Sequence, residues 1–366
     1  MINIIYAKHE LNYKIKYSLF FLILSLCTFV NANQLELLSK ASSGDKFAQN
    51  DLAIHYQVKG DIEKAIDWYR VAAKQGVAQS QNNLGLFYLY GIGVNKDPKM
   101  AMNLFLDASK NNYSLAMINI GVMYERGIGV SEDLDTAFVW YQRASEHGSQ
   151  RAHGFKGRVF KKINNLVDAE KSFRISADYG DSNSQYELAS LLNDSGRTKE
   201  AIYWYGKSAS QGNNFALTSL GFMYYQGIVI DKDVDKAIKL LTLSADKGHD
   251  VAQLLLAGIR LATIEDEKEI NEIIDLLEKS ADQGNVKAQM ALSKVYHAIF
   301  EEYKKIDVLE KYYRWSLIAE KFNGIPFLNR VYYESLLPKS RVKDITTDVN
   351  LWKPVLNSER PDLEAG

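Results

Sequence analysis

Small and large apolar residues alternate along the chain in units that recur every 32 or 36 residues, as from Gly44 to Gly76 and from Gly76 to Asn112. A small side chain stands four residues after each of these closing residues, and a large one, usually leucine, follows four positions later. The next position is small again, and three residues further comes an aromatic, most often tyrosine. These offsets lie on one helical face. Each unit is therefore predicted to begin with an amphipathic helix, called helix A here. The closing residues are Gly44, Gly76, Asn112, Gly148, Gly180, Gly212, Gly248 and Gly284.

A second apolar stripe, counted backward from each closing residue, predicts a second helix in every unit, called helix B. Side-chain oxygens stand four residues before its first alanine, where they are expected to cap the exposed N–H groups of the helix. The closing glycine suits a left-handed C-terminal cap, and Asn112 replaces glycine there. The predicted caps are Asp61, Asp97, Asp133, Asn165 and Asp233.

The length of the units varies only within the hairpins. From helix A to helix B the interval is nine residues between Tyr56 and Ala65, and thirteen between Tyr88 and Ala101, where a glycine-rich turn intervenes. The joint between units stays constant. Insertions confined to one edge, with stacking distances preserved, are typical of a solenoid. The chain is thus predicted to be an all-α solenoid of about eight helix–turn–helix repeats.

The units resemble the Sel-1-like repeat, a relative of the tetratricopeptide repeat. The pattern Ile120-Gly121-x-x-Tyr124 with a following Gly-x-Gly turn carries the resemblance most clearly, and Leu84-Gly85 opens another copy. In a third copy, at Leu220-Gly221, Ile-Val-Ile replaces the end of the turn. The resemblance implies a right-handed α/α superhelix with a helical cap at its C-terminal end. It covers about residues 34–324, and its last unit is expected to have Asn323 at the glycine position.

The N-terminus is typical of a cleaved export signal. Lys14 and Lys16 precede an apolar run that ends near Val30, and Ala32 suits the last position before a cleavage site. An uncleaved anchor is the alternative, and only in that case would the chain contact a membrane. The expected organisation is a signal peptide at residues 1–32, a solenoid at 33–324, capping helices at 325–356 and a mobile tail at 357–366. The mature chain is expected in the periplasm or outside the cell.

Composition and motifs give no support for catalysis. The single cysteine, Cys27, lies within the predicted signal, so the mature chain is expected to lack thiolate chemistry and disulfides. A net charge of −1 gives no basic footprint for nucleic acid. The Gly91-x-Gly93 turn lacks the strand and lysine of a phosphate loop, and the aspartates around Asp233 lack the glycine and glutamate of a calcium loop. No cofactor or metal is expected, and the chain is predicted not to be an enzyme.

The periodic tyrosines and tryptophans are predicted to be core, and aromatics outside the stripe are better candidates for contact with a partner. Two cations at apolar helix A positions, Lys156 and Arg260, are interpreted as sequence drift. The alternative is a hinge or a contact with an acidic partner. The candidate partner-binding residues are Phe87, Tyr90, Lys156, Tyr186, Tyr203, Phe215, Tyr225 and Arg260.

The predicted function is that of an exported scaffold that binds a protein partner on its concave face. The resemblance implies such adaptors in envelope maintenance, host contact and signalling. It also implies a narrower role, because some exported members resemble immunity proteins that neutralise phospholipase toxins of type VI secretion. An envelope enzyme is the third and least supported class. The sequence does not name the partner.

Overall fold

The computed structural model describes residues 35–264 and 268–355 of the 366-residue chain, and the regular structure of this part is entirely helical. The all-α prediction is confirmed. The predicted signal peptide and the predicted mobile tail lie outside the described residues. Helix α1 covers residues 35–42. The helices that follow are α2 (Lys46–Val58), α3 (Ile62–Lys74), α4 (Ala78–Tyr90), α5 (Pro98–Lys110), α6 (Ser114–Arg126), α7 (Leu134–Glu146), α8 (Arg151–Lys162), α9 (Leu166–Asp178), α10 (Ser182–Asp194), α11 (Thr198–Ser210), α12 (Asn214–Gln226), α13 (Val234–Asp246), α14 (Asp250–Ala262), α15 (Lys268–Asp282), α16 (Val286–Tyr303), α17 (Ile306–Asn323), α18 (Arg330–Leu336) and α19 (Lys339–Leu351).

Consecutive helices pack as hairpins, with α2, α4 and the other even-numbered helices up to α16 as helix A and the odd-numbered helices from α3 to α17 as helix B. Each helix B also packs on the next helix A within the same compact unit. The chain consists of two compact units, and the boundary between them lies between Phe155 and Lys156. The consecutive pairing is that of the predicted solenoid.

The small position of helix A exists because a large side chain of helix B lies directly against it. A Cβ built on Gly85 of α4 would be 2.6 Å from Cε1 of Phe105 in α5, and one on Gly157 of α8 would be 2.7 Å from Cδ1 of Phe173 in α9. Both phenylalanines are fully buried. Removing the Cβ lets the two helices approach closely, which explains the alternation of small and large residues.

The predicted helix caps are confirmed. Asp61, Asp97, Asp133, Asn165 and Asp233 each accept a hydrogen bond from the backbone N–H three residues later. The predicted closing residues have left-handed backbones, with Asn112 at φ +59°.

The closing residue of the last hairpin differs from the prediction by one position. Asn323 is the final residue of helix α17, and Gly324 takes the left-handed conformation at φ +66°. The Asn323 side chain instead donates to Oε1 of Gln289 at 2.7 Å. Helix α17 therefore continues one residue further than the repeat pattern indicated.

Buried glutamines connect successive hairpins, and the sequence analysis did not single them out. Each follows the small residue at the start of helix A and donates its amide to the backbone carbonyl eight residues earlier, at the end of the preceding helix. Each of these carbonyls also accepts from the backbone N–H of the closing glycine, so the glutamine adds a second hydrogen bond at the end of the helix. The glutamines are Gln49, Gln81, Gln185, Gln253 and Gln289.

After the last hairpin, helices α18 and α19 pack on α17. Phe327 and Tyr333 form ring contacts with Tyr312 there, at centroid distances of 5.5 and 4.9 Å. The described chain then ends at Val355, whose N–H donates to the carbonyl oxygen of Asp282 at 2.6 Å. These helices lie within the predicted capping region, whose boundaries stay a prediction. Within the described residues no helix is both long and apolar enough to cross a membrane.

Candidate protein-binding surface

One stripe of helix α12 presents large apolar side chains to solvent. Phe215, Thr218, Phe222 and Tyr225 stand at positions i, i+3, i+7 and i+10, which share one side of a helix; of these, Thr218 is buried and Tyr225 is half-buried. Phe215 is 42% exposed and Phe222 is 37% exposed. The opposite side of α12 carries the buried Leu217, Leu220 and similar residues of the core. One apolar stripe of α12 therefore packs in the core, and a second apolar stripe lies on the side that faces solvent.

Helix α14 repeats this arrangement in the next hairpin of the same unit. Its equivalent positions are Val251, Leu254, Gly258 and Leu261, and α12 and α14 are in contact. Val251 is 40% exposed and Leu261 is 48% exposed. These stripe positions carry no charged residue. We call the two stripes, together with Tyr186 of α10, the A-face surface.

Ring contacts hold the aromatic end of this surface in place. The rings of Tyr186 and Phe215 are 5.4 Å apart, and the imidazole of His249 meets Phe215 edge-on at 4.9 Å. His249 Nδ1 lies 2.9 Å from the hydroxyl oxygen of Thr218, at hydrogen-bonding distance. Burial raises the pKa of Tyr186 above its ordinary value, so its phenol stays neutral. Phe215 is thus presented in a fixed orientation, which lowers the entropy lost on contact with a partner.

The structure brings together three of the predicted contact residues and separates others. Tyr186, Phe215 and Tyr225 belong to the A-face surface, and the ammonium group of Lys232 lies 5.4 Å from the centre of the Tyr225 ring. Tyr203 is 55% exposed but lies on α11, a B helix. Tyr90 is half-buried on α4, in the first compact unit.

Phe87 does not lie on the surface, and we remove it from the candidate residues. It is 5% exposed and packs with Tyr69 and Leu84 in the core of the first unit. Helix α4 contacts its own helix B and the preceding helix B, so its buried arc is wider than a single stripe. The expectation that an aromatic outside the stripe faces solvent is wrong at this position.

The two cations at apolar positions lie within helices α8 and α14, and the alternative of a local hinge stays a prediction. Arg260 of α14 forms an ion pair with Glu272 of α15, with 2.5 Å between Nη1 and Oε2. Lys156 is half-buried in α8 and takes part in an interaction within the fold. The charge of Arg260 is thus directed toward its own hairpin partner.

The repeat pattern has a counterpart among known families. The profile described as "Sel1 repeat" matches residues 46–77, 78–113, 114–149, 182–213 and 215–249. The chain belongs to the Sel1 repeat family. The matched repeats cover α2 to α7 and, after an unmatched stretch at residues 150–181, α10 to α13, so they include α10 and α12 of the A-face surface.

Solved structures support the Sel1 repeat fold. A Sel1 repeat protein from Oxalobacter formigenes is 29% identical with a TM-score of 0.52, covering 58% of this chain and 96% of its own. A protective antigen of uropathogenic Escherichia coli with an SLR fold is 22% identical with a TM-score of 0.51, covering 87% of this chain and 78% of its own. That identity supports the fold alone. An immunity protein from Pseudomonas aeruginosa is 19% identical and covers 56% of this chain and 81% of its own. Its TM-score of 0.42 is too low to show the same fold.

Asp233, within the group of aspartates that lacks the glycine and glutamate of a calcium loop, has a structural role in this Sel1 repeat protein. Asp233 caps α13 by accepting from the N–H of Lys236 at 2.9 Å. Across residues 35–264 and 268–355, no group of three or more histidine, cysteine, aspartate or glutamate side chains is placed to hold a metal ion.

Proposed function

We propose that this Sel1 repeat protein is a non-enzymatic scaffold that binds a protein partner on the A-face surface. The observation that carries the proposal is the presence of exposed large apolar side chains on two helices in contact, Phe215 and Phe222 on α12 and Val251 and Leu261 on α14. Isolated apolar residues are ordinary on protein surfaces, whereas a contiguous group is typical of an interaction site. Membership of a repeat family whose members generally bind proteins supports the same conclusion.

The expected partner buries apolar side chains of its own against Phe215, Phe222 and Leu261. Aromatic side chains near the centre of an interface contribute most of its binding energy. Because the stripe positions are uncharged, they lose no ion hydration when a partner covers them.

We propose further that the chain is exported and acts in the periplasm or outside the cell. The basic and apolar segments before Ala32 support this. A narrower role, inhibition of one toxin by covering its active site, uses the same surface. The experiment below separates the two roles by the identity and activity of the captured protein.

The test is a comparison of capture by three forms of the chain at residues 33–366. The first is unaltered, and the second carries Phe222→Ser and Leu261→Ser in the A-face surface. The third carries Tyr203→Ser and Leu243→Ser, which are 55% and 54% exposed on B helices of the same unit. All three forms must first show equal helical circular dichroism, so that a loss of binding does not reflect a loss of folding. Proteins retained from the native envelope are then identified, and their affinities are measured with purified components.

We expect one partner whose affinity falls at least tenfold, about 1.4 kcal/mol, with the A-face variant and stays unchanged with the B-helix variant. The opposite pattern would move the site to the B helices, and equal binding by all three forms would exclude both faces. If the partner is a secreted lipase that the unaltered chain inhibits, the immunity role is established. Hydrolysis of lipid or peptidoglycan by the purified chain alone would overturn the non-enzymatic proposal.

A further inference from the structure

Helix α18, which follows the last hairpin, directs its charged residues inward. Arg330 forms an ion pair with Glu320 of α17, with 3.0 Å between Nη1 and Oε2. Glu334 accepts from the hydroxyl of Tyr313 of α17 and also pairs with Arg330. These are the two charged residues of α18, and both are half-buried. A surface helix ordinarily has its charged side in water, so the outer side of α18 is unusual.

That outer side presents large apolar residues to solvent. Leu328, in the turn before α18, is 76% exposed, and Val331 is 79% exposed. Tyr332 and Leu336 are 57% and 37% exposed. Ser335, the remaining exposed residue of the helix, is also uncharged. A contiguous exposed apolar group is typical of an interaction site. We call Leu328, Val331, Tyr332 and Leu336 the end patch.

A cleft of about 220 Å³ adjoins the end patch. Leu328 and Phe327 line it together with Met290 of α16 and Tyr312 of α17. This volume is below the range of about 300–1,000 Å³ that is usual for small-molecule sites, so the cleft suits a single apolar side chain. Because Leu328 belongs to both features, projecting apolar side chains and a recess lie next to each other on one surface.

Two properties of this surface favour a second copy of the chain as its partner. A two-fold contact brings the same patch of both copies together, so a charge near the axis would face an equal charge. The end patch has no charged residue, so this repulsion does not arise. A two-fold contact also needs projections and recesses on the same patch, and the cleft supplies the recess. Terminal units of repeat arrays need a polar outer surface to stay soluble alone, which the end patch does not provide.

We propose that two copies of this chain associate through their end patches, with their α18 helices antiparallel about a two-fold axis at Tyr332. Tyr332 is midway between Leu328 and Leu336 in the sequence. Leu336 of each copy therefore lies beside Leu328 and the cleft of the other copy, and the two Tyr332 side chains face each other. This contact is independent of the A-face surface, which lies on α10, α12 and α14.

The first test is sedimentation equilibrium of the chain at residues 33–366, for which we expect a reversible monomer–dimer equilibrium. Val331→Ser with Leu336→Ser should raise the dissociation constant at least tenfold. Val167→Ser with Leu243→Ser is the matched control, since these residues are 66% and 54% exposed on α9 and α13 of the same unit, and it should leave the constant unchanged. Equal helical circular dichroism of all forms excludes unfolding as the cause.

Two results of this measurement would overturn the proposal. One is a chain that stays monomeric up to about 0.1 mM. The other is a dimer that the end-patch variant does not weaken, which would place the contact elsewhere. A monomer that instead captures an envelope protein, and loses it with Val331→Ser and Leu336→Ser, would assign the end patch to a different partner.

Substitutions at the axis test the two-fold symmetry. Tyr332→Glu and Tyr332→Lys should each leave the chain monomeric because equal charges then face each other, and an equimolar mixture of the two should form a mixed dimer. The chain at residues 33–366 has no cysteine, so Tyr332→Cys adds a single thiol. It should form a disulfide between two copies, whereas Val167→Cys should not. Association that persists in the separate Tyr332→Glu and Tyr332→Lys forms would show a head-to-tail contact and exclude the two-fold dimer.

Discussion

At the scale of single residues, Val229 takes a backbone conformation that its side chain disfavours. It has φ +70°, and the equivalent residues of the two related turns are Gly93 and Gly129. A left-handed backbone costs a residue other than glycine about 1–2 kcal/mol, and branching at Cβ makes the crowding worse. The replacement of the Gly-x-Gly ending, visible in the sequence, is thus a site of strain in the structure.

Val229→Gly should therefore stabilise the chain by about 0.5–1 kcal/mol, after allowance for the greater freedom of glycine in the unfolded state. Ile228→Gly is the matched control, because Ile228 is 58% exposed and its φ is not positive. It should destabilise by about 0.5–1 kcal/mol. Urea unfolding followed by circular dichroism measures both, and equal losses in the two variants would show that Val229 is not strained.

Gly85 shows the contrasting case, in which the reason for glycine is space and not backbone conformation. An added Cβ would lie 2.6 Å from the buried ring of Phe105. Gly85→Ala should cost about 1–3 kcal/mol because the two helices must separate. Gly258→Ala, where an added Cβ meets nothing within 4 Å, should instead stabilise α14 by up to about 1 kcal/mol. Thermal unfolding that shifts in the same direction for both variants would contradict this account of the small positions.

At the scale of helices, three of the buried glutamines connect their own helix A both to the preceding helix and to helix B of the same hairpin. Besides donating to the preceding helix, Gln49, Gln185 and Gln253 each accept from the glutamine that ends helix B of their own hairpin. The donor–acceptor distances for Gln75, Gln211 and Gln283 are 2.7, 2.8 and 3.0 Å, in that order. Gln81 lacks this bond, and its buried Oε1 has no hydrogen-bond partner among the described residues. The equivalent donor position holds Asn111, whose side chain is one methylene shorter. An asparagine reaches the glutamine only in the last hairpin, where Asn323 donates to Gln289 at 2.7 Å between longer helices.

Asn111→Gln should supply the missing bond and stabilise the first unit by about 1 kcal/mol. The opposite change, Gln211→Ala, should leave the Gln185 oxygen without its donor and cost about 1–2 kcal/mol. Amide hydrogen exchange in α4 and α5 for the first variant, and in α10 and α11 for the second, locates each effect. If Asn111→Gln leaves exchange unchanged, water already satisfies the Gln81 oxygen.

At the scale of the whole molecule, the sequence predicts the hairpins well because each depends on short-range constraints. A cap such as Asp61 and a left-handed residue such as Asn112 act within one turn of a helix, so spacing alone reveals them. Contacts between hairpins are less visible. Phe87 is buried against Tyr69 of the preceding hairpin, and the apolar pattern of its own helix does not reveal this contact. The recurrence of glutamine after the small residue was a signal available in the sequence.

The surface was only partly predictable for the same reason. Tyr186, Phe215 and Tyr225 were identified as aromatics outside the periodic stripe, but Phe222, Val251 and Leu261 were not. Val251 and Leu261 are aliphatic, and aliphatic residues outside a stripe have no distinguishing pattern when one hairpin is considered alone. They form a surface only when α12 and α14 are placed side by side.

Residues 1–32 are predicted to direct export, and the single cysteine provides a direct test of whether they are removed. Cleavage after Ala32 removes Cys27, so the mature chain should not react with a thiol-specific polyethylene glycol maleimide, whereas the precursor should gain its mass. Lipidation of Cys27 would also block the thiol, so the N-terminus of the unreactive form must be sequenced. An N-terminus at Asn33 in the envelope or medium is the expected result. A maleimide-reactive, full-length chain in the membrane fraction would instead show that the segment stays attached as an anchor, and any partner would then be met at the membrane surface.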